Sequence, residues 1–385
     1  MTTARTVIVL GGGIGGVAAA NRLRKRLSSR DRVVLVDRED QHLFQPSLLW
    51  VLTGQRTAPA IQRPMEQMLR RGIEVLRGEI TALDPARRSV RVNGQELLGD
   101  ALIIALGATL APDAVPGLAE GGHNLYDVNG ARAIRDALAS FREGRIVVLT
   151  AAPLYRCPAA PYEAAMLVQD VIARAGSKSH VVMYAAEPGP MGTAGPDVMK
   201  LVRSMVEGRG VEYHPEHQVV SVAAATRSLV FANGATTEYD LLIYVPPHRA
   251  PAVLRDSGLV SPNGWVAVDR HTLSTAFEGV FVIGDATGIP LASGKLLPKA
   301  GVFAHGQADV VADNLADAWA GLTPYHRFNG EGACFIETGG GRAGYGSGNF
   351  YSEPLPQLRM RAPARWWHWG KILFEQQWLH QWFGG

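Results

Sequence analysis

The start of the sequence contains one complete β-α-β unit, and this unit constrains the fold more than any other feature. An apolar run at Thr6–Leu10 leads into a glycine-rich turn, a helical pattern at residues 17–27, a second run at residues 32–36 and Asp37. The turn carries the glycines of the G-x-G-x-x-G pattern, Gly11, Gly13 and Gly16. These glycines allow a tight turn, the approach of a pyrophosphate and close helix packing, while the acid accepts from a ribose hydroxyl. The sequence therefore predicts a dinucleotide-binding domain.

A second pattern occurs twice and indicates two related domains. Residues 72–100 and residues 210–240 each contain an Asn-Gly pair and end in an aspartate. An apolar run follows each copy, at residues 101–105 and at Leu241–Val245. The Asn-Gly pairs indicate hairpin turns, and the apolar runs are typical of buried parallel strands. We predict an α/β fold with two Rossmann-like dinucleotide-binding domains, each with an inserted antiparallel sheet.

The second domain lacks the glycine-rich turn of the first. Its first strand is predicted at Arg145–Thr150, and residues 151–158 then read Ala-Ala-Pro-Leu-Tyr-Arg-Cys-Pro. Proline and bulky side chains keep a backbone away from a pyrophosphate, so we expect that this loop does not bind NADH in the usual way. The loop instead carries Cys157.

The position of Cys157 suggests a reactive thiol. A helix is expected to begin near Pro161, and both its dipole and the adjacent Arg156 are expected to lower the pKa of the thiol. Glu163, in the first turns of that helix, is a candidate for transferring protons to or from sulfur. In the simpler interpretation, Glu163 only complements the helix dipole.

A third apolar strand, at residues 281–283, ends in Gly284 and Asp285. On its own this pattern is a common turn. After two dinucleotide units it is typical of a flavoprotein, in which the aspartate accepts from ribityl hydroxyls. A helix is expected to start near Lys299 and Gly301, with its N-terminus towards the flavin ring.

The composition excludes several classes of protein. The chain of 385 residues has a formal net charge of +3 and only two cysteines, Cys157 and Cys334. It therefore gives no indication of nucleic-acid binding, of a zinc site or of a disulfide-rich secreted domain. No uninterrupted apolar run reaches the ~18 residues needed to span a bilayer. Because the first strand begins at Thr6, we expect no cleavable export signal and a location on the cytoplasmic side.

The last part of the sequence is rich in tryptophan and in basic residues. Five of the eight tryptophans lie at residues 366–382, and four basic residues, including Lys371, stand against one acid, Glu375, at residues 356–385. Such segments suit the bilayer interface. The apolar residues at 366–374 and at 378–383 lie on opposite sides of an ideal helix, so two short helices or a kink near 375–377 are expected. The alternative is a C-terminal lid packed on the body or on a second subunit.

Taken together, these features resemble sulfide:quinone oxidoreductase, a family of flavin-dependent disulfide reductases related to flavocytochrome c sulfide dehydrogenase and type II NADH dehydrogenase. The resemblance covers essentially the whole chain. It rests on the glycine motif with Asp37, on residues 44–54, on residues 156–163, on Gly284-Asp285, on residues 298–301 and on Cys334-Phe335. The cysteine segment and the Pro-Lys-Ala-Gly segment at 298–301 are its most specific parts.

The resemblance implies a function and a set of site residues. It implies that a Cys157–Cys334 redox pair oxidises hydrosulfide or a related sulfur substrate to sulfane sulfur or polysulfide. Two electrons would then pass through FAD to a membrane quinone. The positions that match FAD-binding residues are Gly11, Gly13, Gly16, Asp37, Arg38, Pro46, Ile80, Gly107, Gly284, Asp285, Lys299 and Gly301. The matching catalytic residues are Cys157, Cys334, Glu163 and Lys299, and the matching quinone-site residue is Phe335.

The sequence also departs from the family pattern. Many members carry a further cysteine upstream of the first active one, but residues 127–130 contain none. A mechanism with three cysteines is therefore not expected, and with no cysteine to spare the FAD is expected to be non-covalent. Assembly into a homo-oligomer, and a thiol persulfide as the substrate in place of sulfide, stay open.

We predict four segments along the chain. Residues 1–110 and 251–322 would form the FAD-binding domain, residues 111–250 the second Rossmann-like domain, and residues 323–385 a C-terminal region with Cys334 and membrane-associating helices. Around Cys334 we expect a hairpin with a glycine-rich turn, or alternatively a mobile cover over the sulfur site. The alternative functions are an NADH:quinone oxidoreductase, which needs a nucleotide loop at 151–158, and a non-catalytic, membrane-bound flavin redox sensor, which does not need Cys157.

Overall fold

The computed structural model describes residues 4–384, which form a mixed α/β fold. The α-helices in this part of the chain are α1 (Ile14–Arg26), α2 (Leu48–Leu52), α3 (Leu118–Gly121), α4 (Val128–Ser140), α5 (Ala160–Arg174), α6 (Pro196–Glu207), α7 (Ala252–Asp256), α8 (Gly301–Trp319) and α9 (Arg365–Phe383).

The strands of the same residues are β1 (Thr6–Leu10), β2 (Arg32–Asp37), β3 (Gln41–Leu43), β4 (Gln62–Pro64), β5 (Glu74–Arg77), β6 (Ile80–Asp84), β7 (Ser89–Val92), β8 (Gln95–Leu98), β9 (Ala101–Ile104), β10 (Thr109–Leu110), β11 (His123–Asn124), β12 (Arg145–Thr150), β13 (His180–Ala185), β14 (Glu212–His214), β15 (Val219–Ala223), β16 (Ser228–Phe231), β17 (Thr236–Glu238), β18 (Leu241–Val245), β19 (His248–Arg249), β20 (Val280–Val282), β21 (Glu331–Gly339), β22 (Arg342–Asn349) and β23 (Gln357–Ala364).

The first Rossmann-like unit is a five-stranded parallel sheet in the order β20-β9-β1-β2-β5. The middle residues of its central strands are apolar and buried, since both faces of the sheet are covered by other elements. Helix α1 follows β1 directly and packs on the sheet and on α8. Because β20 comes from far along the chain, two separate segments build this sheet.

The second unit repeats this architecture. Its parallel sheet has the order β11-β18-β12-β13-β14, and α5 connects β12 to β13. Each unit carries a three-stranded antiparallel sheet, β6-β7-β8 in one and β15-β16-β17 in the other. The two aspartates that close the sequence repeat have the same role, because Asp100 accepts from the N–H of Thr6 at 2.7 Å and Asp240 accepts from that of Arg145 at 2.8 Å. The predicted duplication is therefore confirmed.

The C-terminal region consists of the antiparallel sheet β21-β22-β23 and the helix α9. The predicted kink near residues 375–377 is wrong, because α9 runs unbroken from Arg365 to Phe383. The two apolar faces of this continuous helix have different surroundings. Trp378 and Trp382 pack into the body of the protein, whereas Trp366 and Trp369, on the other face, are 69% and 64% exposed.

Within residues 4–384, no helix combines the length and the apolar character needed to cross a membrane.

Candidate functional site

The turn between β1 and α1 leaves space for a ligand against its backbone. A side chain at Gly16 would place its Cβ 1.7 Å from the carbonyl oxygen of Gly11, so only glycine allows α1 to approach the strand this closely. Gly11 has a φ of 101°, a conformation that other residues rarely adopt. A Cβ at Gly13, by contrast, would meet no atom within 4 Å. The open side of the turn therefore faces outwards at the N-terminus of α1, where N–H groups attract phosphate.

Asp37 ends β2 beside this turn. Its carboxylate accepts from the N–H of Gly12, and also from the N–H of Glu39 at 2.8 Å. The neighbouring Arg38 is exposed and pairs with Glu39 across 3.3 Å. Asp37 thus lies beside the glycine turn, where it could accept from the ribose of a bound dinucleotide, whereas Arg38 faces solvent.

His42 is hydrogen-bonded to the same turn. The sequence analysis did not identify this residue. Its Nδ1 donates to the carbonyl of Gly12 at 2.8 Å, and its Nε2 lies 3.4 Å from the indole nitrogen of Trp378 on α9. Burial lowers the pKa of His42 to about 4, so the ring is neutral near pH 7. The glycine turn and the C-terminal helix are therefore connected through one imidazole.

Asp285 and Lys299 lie next to each other before α8, which packs on α1. Oδ1 of Asp285 is buried and has no hydrogen-bond partner among the described residues. Burial raises the pKa of Asp285, while the cations of Lys299 and Arg156 act in the opposite sense. A buried oxygen without a partner is costly, so this atom points to a hydroxyl-bearing ligand.

Lys299 itself is almost completely buried. Its Nζ donates to the carbonyls of Asp285 and Thr287 at 2.6 and 3.2 Å and lies 3.2 Å from the ring centre of Trp265. Burial lowers the pKa of Lys299 to about 7, although Asp285 acts against this. Trp265 is a site residue that carried no recognisable signal in the sequence.

The remaining predicted cofactor positions lie in turns, at the start of a helix and at the start of a strand. Gly107 has a φ of 65° and open space around it. Gly301 begins α8, and a Cβ there would lie 2.5 Å from Ile14, so the N-termini of α1 and α8 meet. Gly284 is followed by a tight turn, Pro46 lies in the short helical turn Gln45–Ser47, and Ile80 begins β6. The open turn, the paired helix N-termini and the unpartnered Asp285 oxygen fit a dinucleotide with a polyol chain.

The loop that carries Cys157 is held from two sides. The N–H of Cys157 donates to the carbonyl of Lys299 at 2.6 Å, and the hydroxyl of Tyr126 donates to the carbonyls of Arg156 and Cys157 at 2.7 and 3.1 Å. Cys157 has a φ of 48°, in the left-handed region that disfavours side chains with a Cβ. The loop thus holds the thiol in a strained backbone conformation, directly beside the Lys299 segment.

Cys334 approaches Cys157 through the packing of α5 on β21. Glu163 on α5 accepts from the N–H of Glu337, three positions after Cys334 on β21, at 2.8 Å. Both cysteines are free thiols and partly buried. The pKa of Cys334 is raised to about 12 by burial first and then by the charges of Cys157 and Glu163.

The expectation of a lowered pKa at Cys157 is wrong. Burial, followed by the charge of Glu163, raises the pKa of this thiol to about 12. Lys371 and the N–H of Ala160 at the start of α5 lower it, but by less. Arg156 does not assist, because its guanidinium turns away and donates to the carbonyl of Tyr126 at 2.6 Å. The desolvation of the sulfur therefore exceeds the effect of the helix N-terminus.

Lys371 is the cation of the sulfur site, and its assignment to a basic, membrane-facing tail is wrong. It lies on the inner face of α9 and donates to Glu163 at 2.8 Å. Burial works against its charge, but Glu163 and Glu337 outweigh this and raise the pKa of Lys371. His368 lies one turn earlier on α9, 3.0 Å from both carboxylate oxygens of Glu337. A chain of buried charges therefore leads from α9 to both cysteines.

Phe335, the residue after Cys334 on β21, lies among aromatic rings. Its ring centre is 5.2 Å from that of Tyr345 and 6.4 Å from that of Phe374 on α9. Tyr345 in turn stacks on Trp367 with ring centres 4.6 Å apart. The first half of α9 and the hairpin β21–β22 thus form an apolar, aromatic region one residue away from Cys334.

Comparison with known proteins places this site in a family context. The chain is 25% identical to the mitochondrial sulfide:quinone oxidoreductase of Dictyostelium discoideum, an alignment that covers 86% of this chain and 75% of that protein. It is 24% identical to the sulfide-quinone reductase of Aquifex aeolicus, over 98% of this chain and 90% of that protein. The crystal structure of the sulfide:quinone oxidoreductase from Aquifex aeolicus superposes with a TM-score of 0.89 at 22% identity, covering 99% and 92% of the two chains.

The paired Rossmann-like units agree with the match of residues 5–308 to one family model. That model describes pyridine nucleotide-disulphide oxidoreductases and spans most of the chain, so the protein belongs to this family.

Proposed function

We propose that this protein is a sulfide:quinone oxidoreductase that holds FAD non-covalently and oxidises sulfide at Cys157 and Cys334. The observation that carries the proposal is the convergence of the two cysteines on one buried ion pair, Glu163 with Lys371. The named relatives support the same activity, since they are sulfide:quinone oxidoreductases that align with most of this chain.

The turn at the start of α1 and the residues before α8 would together hold the FAD. The turn at Gly11, Gly13 and Gly16 would bind the pyrophosphate, with Asp37 on the adenosine ribose. Asp285 would accept from the ribityl chain with the oxygen that has no protein partner. Lys299 would place its positive charge near the flavin ring. The same FAD-binding site would include Arg38, Pro46, Ile80, Gly107, Gly284 and Gly301.

The chain itself supplies the sulfur chemistry. In the oxidised protein, Cys157 and Cys334 would form a disulfide, which hydrosulfide attacks at one sulfur. The attack forms a new S–S bond as a persulfide and releases the other cysteine as a thiolate. Lys371 is the cation nearest this thiolate, and Glu163 is placed to accept the proton of the incoming sulfur. A buried cation is needed here because the site otherwise raises the pKa of both thiols.

The quinone would be reduced on the aromatic side of β21, where Phe335, Tyr345 and Phe374 cluster. FAD, when bound, supplies the two-electron relay between the sulfur pair and the quinone. In each further turnover one hydrosulfide would add one sulfur to the persulfide while two electrons pass through the bound flavin to quinone, so polysulfide would form over several turnovers before its release.

The outer face of α9 would contact the membrane that contains the quinone. Trp366, Trp369 and Leu373 form an exposed apolar stripe with exposed fractions of 69%, 64% and 63%. The exposed Arg359 and Arg361 lie on the adjacent strand β23. Indole rings beside cations suit the headgroup region of an anionic bilayer. We therefore propose peripheral binding to the cytoplasmic side of the membrane.

An NADH:quinone oxidoreductase is less compatible with the second domain. Residues 151–158 carry Pro153 and Tyr155 where a nucleotide loop needs glycine, and both Ala151 and Tyr155 are buried. The proline and the bulky side chains of this loop would keep a pyrophosphate away from the backbone.

The deciding experiment is an anaerobic titration of the FAD-loaded protein with sulfide and, separately, with NADH. Sulfide is expected to bleach the flavin absorbance of the wild type, and a short-chain quinone to restore it. Cys157→Ala and Cys334→Ala are each expected to abolish the bleaching while retaining the flavin. Bleaching by NADH at a comparable rate would contradict the proposal. A Cys157→Ala protein with unchanged sulfide oxidation would rule out the cysteine pair as the site.

A further inference from the structure

Glu187 is a buried carboxylate that the proposed chemistry does not use. It follows β13 by two residues and is 8% exposed. Its Oε1 accepts from the hydroxyls of Tyr155 and Tyr162, the latter at 2.5 Å, and its Oε2 accepts from the hydroxyl of Thr150 at 2.8 Å. Among residues 4–384, no lysine, arginine or histidine forms a salt bridge with it.

A carboxylate buried without a cation is costly, so its retention calls for a reason. Burial raises the pKa of Tyr155 and of Tyr162 well above the ordinary value, which keeps both phenols protonated as donors. Hydroxyl donors thus take the place of a counter-ion.

The duplication of the fold shows what has changed. In the first domain, Asp37 also lies at the end of the second strand and accepts from the backbone of its own βα turn, at Gly12. It is only half-buried and can also reach a ligand. In the second domain, Glu187 lies at the same edge of the sheet, but side chains from β12, from the following loop and from α5 occupy it. Its oxygens point inwards and are not available to a ribose.

The loop residue among these donors is Tyr155, two positions before Cys157. The cysteine loop is thus held at three points. Tyr155 is tied to Glu187, the carbonyls of Arg156 and Cys157 accept from Tyr126, and the N–H of Cys157 is bound by Lys299. The left-handed backbone of Cys157 persists only where its surroundings hold it. Of the three holds, the one through Glu187 has no other task in the site.

We propose that Glu187 is a positioning residue, which through Tyr155 holds the Cys157 loop in the conformation that presents the thiol to Cys334. The carboxylate that would bind a ribose in a nucleotide domain thereby orders the sulfur site. This inference rests on the proposed function for its kinetic consequence, but not for its structural one.

The test uses the FAD-loaded, reduced protein and limiting iodoacetamide. Because the chain has only two cysteines, peptide mass spectrometry gives the ratio of alkylation at Cys157 to that at Cys334 within the same molecules. The variants are Glu187→Gln and Tyr155→Phe. Tyr239→Phe is the matched control, since it removes a buried hydroxyl of the same domain that has no hydrogen-bond partner in the structure.

Release of the loop is expected to raise the alkylation ratio in Glu187→Gln and in Tyr155→Phe but not in Tyr239→Phe. Sulfide-dependent bleaching should slow at the same time, by up to about a hundredfold, because a reacting group is displaced. General destabilisation would expose both thiols and raise alkylation at Cys157 and Cys334 together, so a change in their ratio reports the Cys157 loop itself. If Glu187→Gln fails to retain flavin, Tyr155→Phe still tests the inference, because it removes a single hydroxyl.

An alkylation ratio that is the same in the wild type and in both variants would overturn the inference, whatever their stability. That result leaves the proposed function intact if the wild type still oxidises sulfide. Conversely, a wild type that sulfide does not bleach would overturn the proposed function, while the alkylation ratio would still report whether Glu187 positions Cys157.

Discussion

Lys371 on the C-terminal helix donates to Glu163, six residues after Cys157, across 2.8 Å. Both side chains are buried, with 8% and 3% of their surfaces exposed. The pair fixes α9 on the helix that follows the cysteine loop. It also supplies the only cation among the strongest influences on the pKa of either thiol.

Replacement of Lys371 is therefore expected to affect both stability and chemistry. Lys371→Met leaves Glu163 buried without its partner and should lower the free energy of unfolding by about 3–5 kcal/mol. The double variant Glu163→Gln/Lys371→Met should regain much of this stability, because no buried charge is left alone. Neither protein should oxidise sulfide at the wild-type rate, since the developing thiolate lacks a cation. Chemical denaturation and stopped-flow bleaching measure the two effects, and a fully active double variant would contradict the role of the pair.

The protein should lose stability on mild acidification through His42. Its folded pKa of about 4 lies below the unfolded value of about 6.5, so the unfolded chain binds the extra proton between these values. Stability is therefore lost as the pH falls through this window, by roughly 3 kcal/mol in full. Asp37 slightly favours and Arg63 slightly opposes the charged ring, so neither reverses this sign.

The control for this prediction is His42→Asn, which keeps a donor for the carbonyl of Gly12 but does not titrate. Its free energy of unfolding should vary less between pH 6.5 and pH 4 than that of the wild type. Because His42 also contacts Trp378, tryptophan fluorescence should report the detachment of α9 in the same window. Identical pH profiles for both proteins would remove His42 as the cause.

Asp285→Ala is expected to weaken flavin retention. The variant removes the buried oxygen that has no protein partner, and with it a strong acceptor for a polyol hydroxyl. The ratio of flavin to protein after extended dialysis should fall, with a loss of about 1.5–3 kcal/mol in binding, the range for hydrogen bonds to charged groups. Asp256→Ala, at an exposed position on α7, is the matched control and should retain flavin as the wild type does. Equal retention in both variants would show that Asp285 does not face the cofactor.

The exposed face of α9 should govern binding to vesicles. Trp366→Ser/Trp369→Ser is expected to reduce co-sedimentation with vesicles of phosphatidylcholine and phosphatidylglycerol, without changing the thermal unfolding midpoint, because neither indole is packed. Tyr325→Ser removes an aromatic residue that is 73% exposed in the loop after α8, and should bind as the wild type does. Unchanged sedimentation of the double variant would assign membrane contact to another surface.

The sequence predicts the repeating parts of this fold well, because they depend on local chemistry. The glycine turn and the paired Asn-Gly hairpins act within a few residues of their position. The aspartates that close each repeat are visible from the repeat itself, although each accepts from a strand 94 or 95 residues earlier. The hairpin after Cys334 follows in the same way from the glycines at 339–341. The segment boundaries at residues 110, 250 and 322, and the roles of the matched site residues, stay predictions.

What the sequence does not reveal depends on contacts between distant elements. Lys371 is indistinguishable from a surface lysine until α9 is placed against α5. Trp265 and His42 carry no motif, and each becomes part of the site only through a partner far along the chain. The pKa of Cys157 was predicted in the wrong direction because a helix N-terminus is visible in a sequence, whereas the depth of a thiol is not.

The two-sided character of α9 limits how this protein can be engineered. A common way to obtain a soluble form of a membrane-bound enzyme is to delete its tail. Here the residues that would be cut away include Lys371 at the sulfur site, Glu375 bonded to Ser47, and Trp378 against His42. A shortened chain would lose the proposed catalytic charge together with the proposed membrane contact, so solubility has to be sought by changing the outward-facing side chains one at a time.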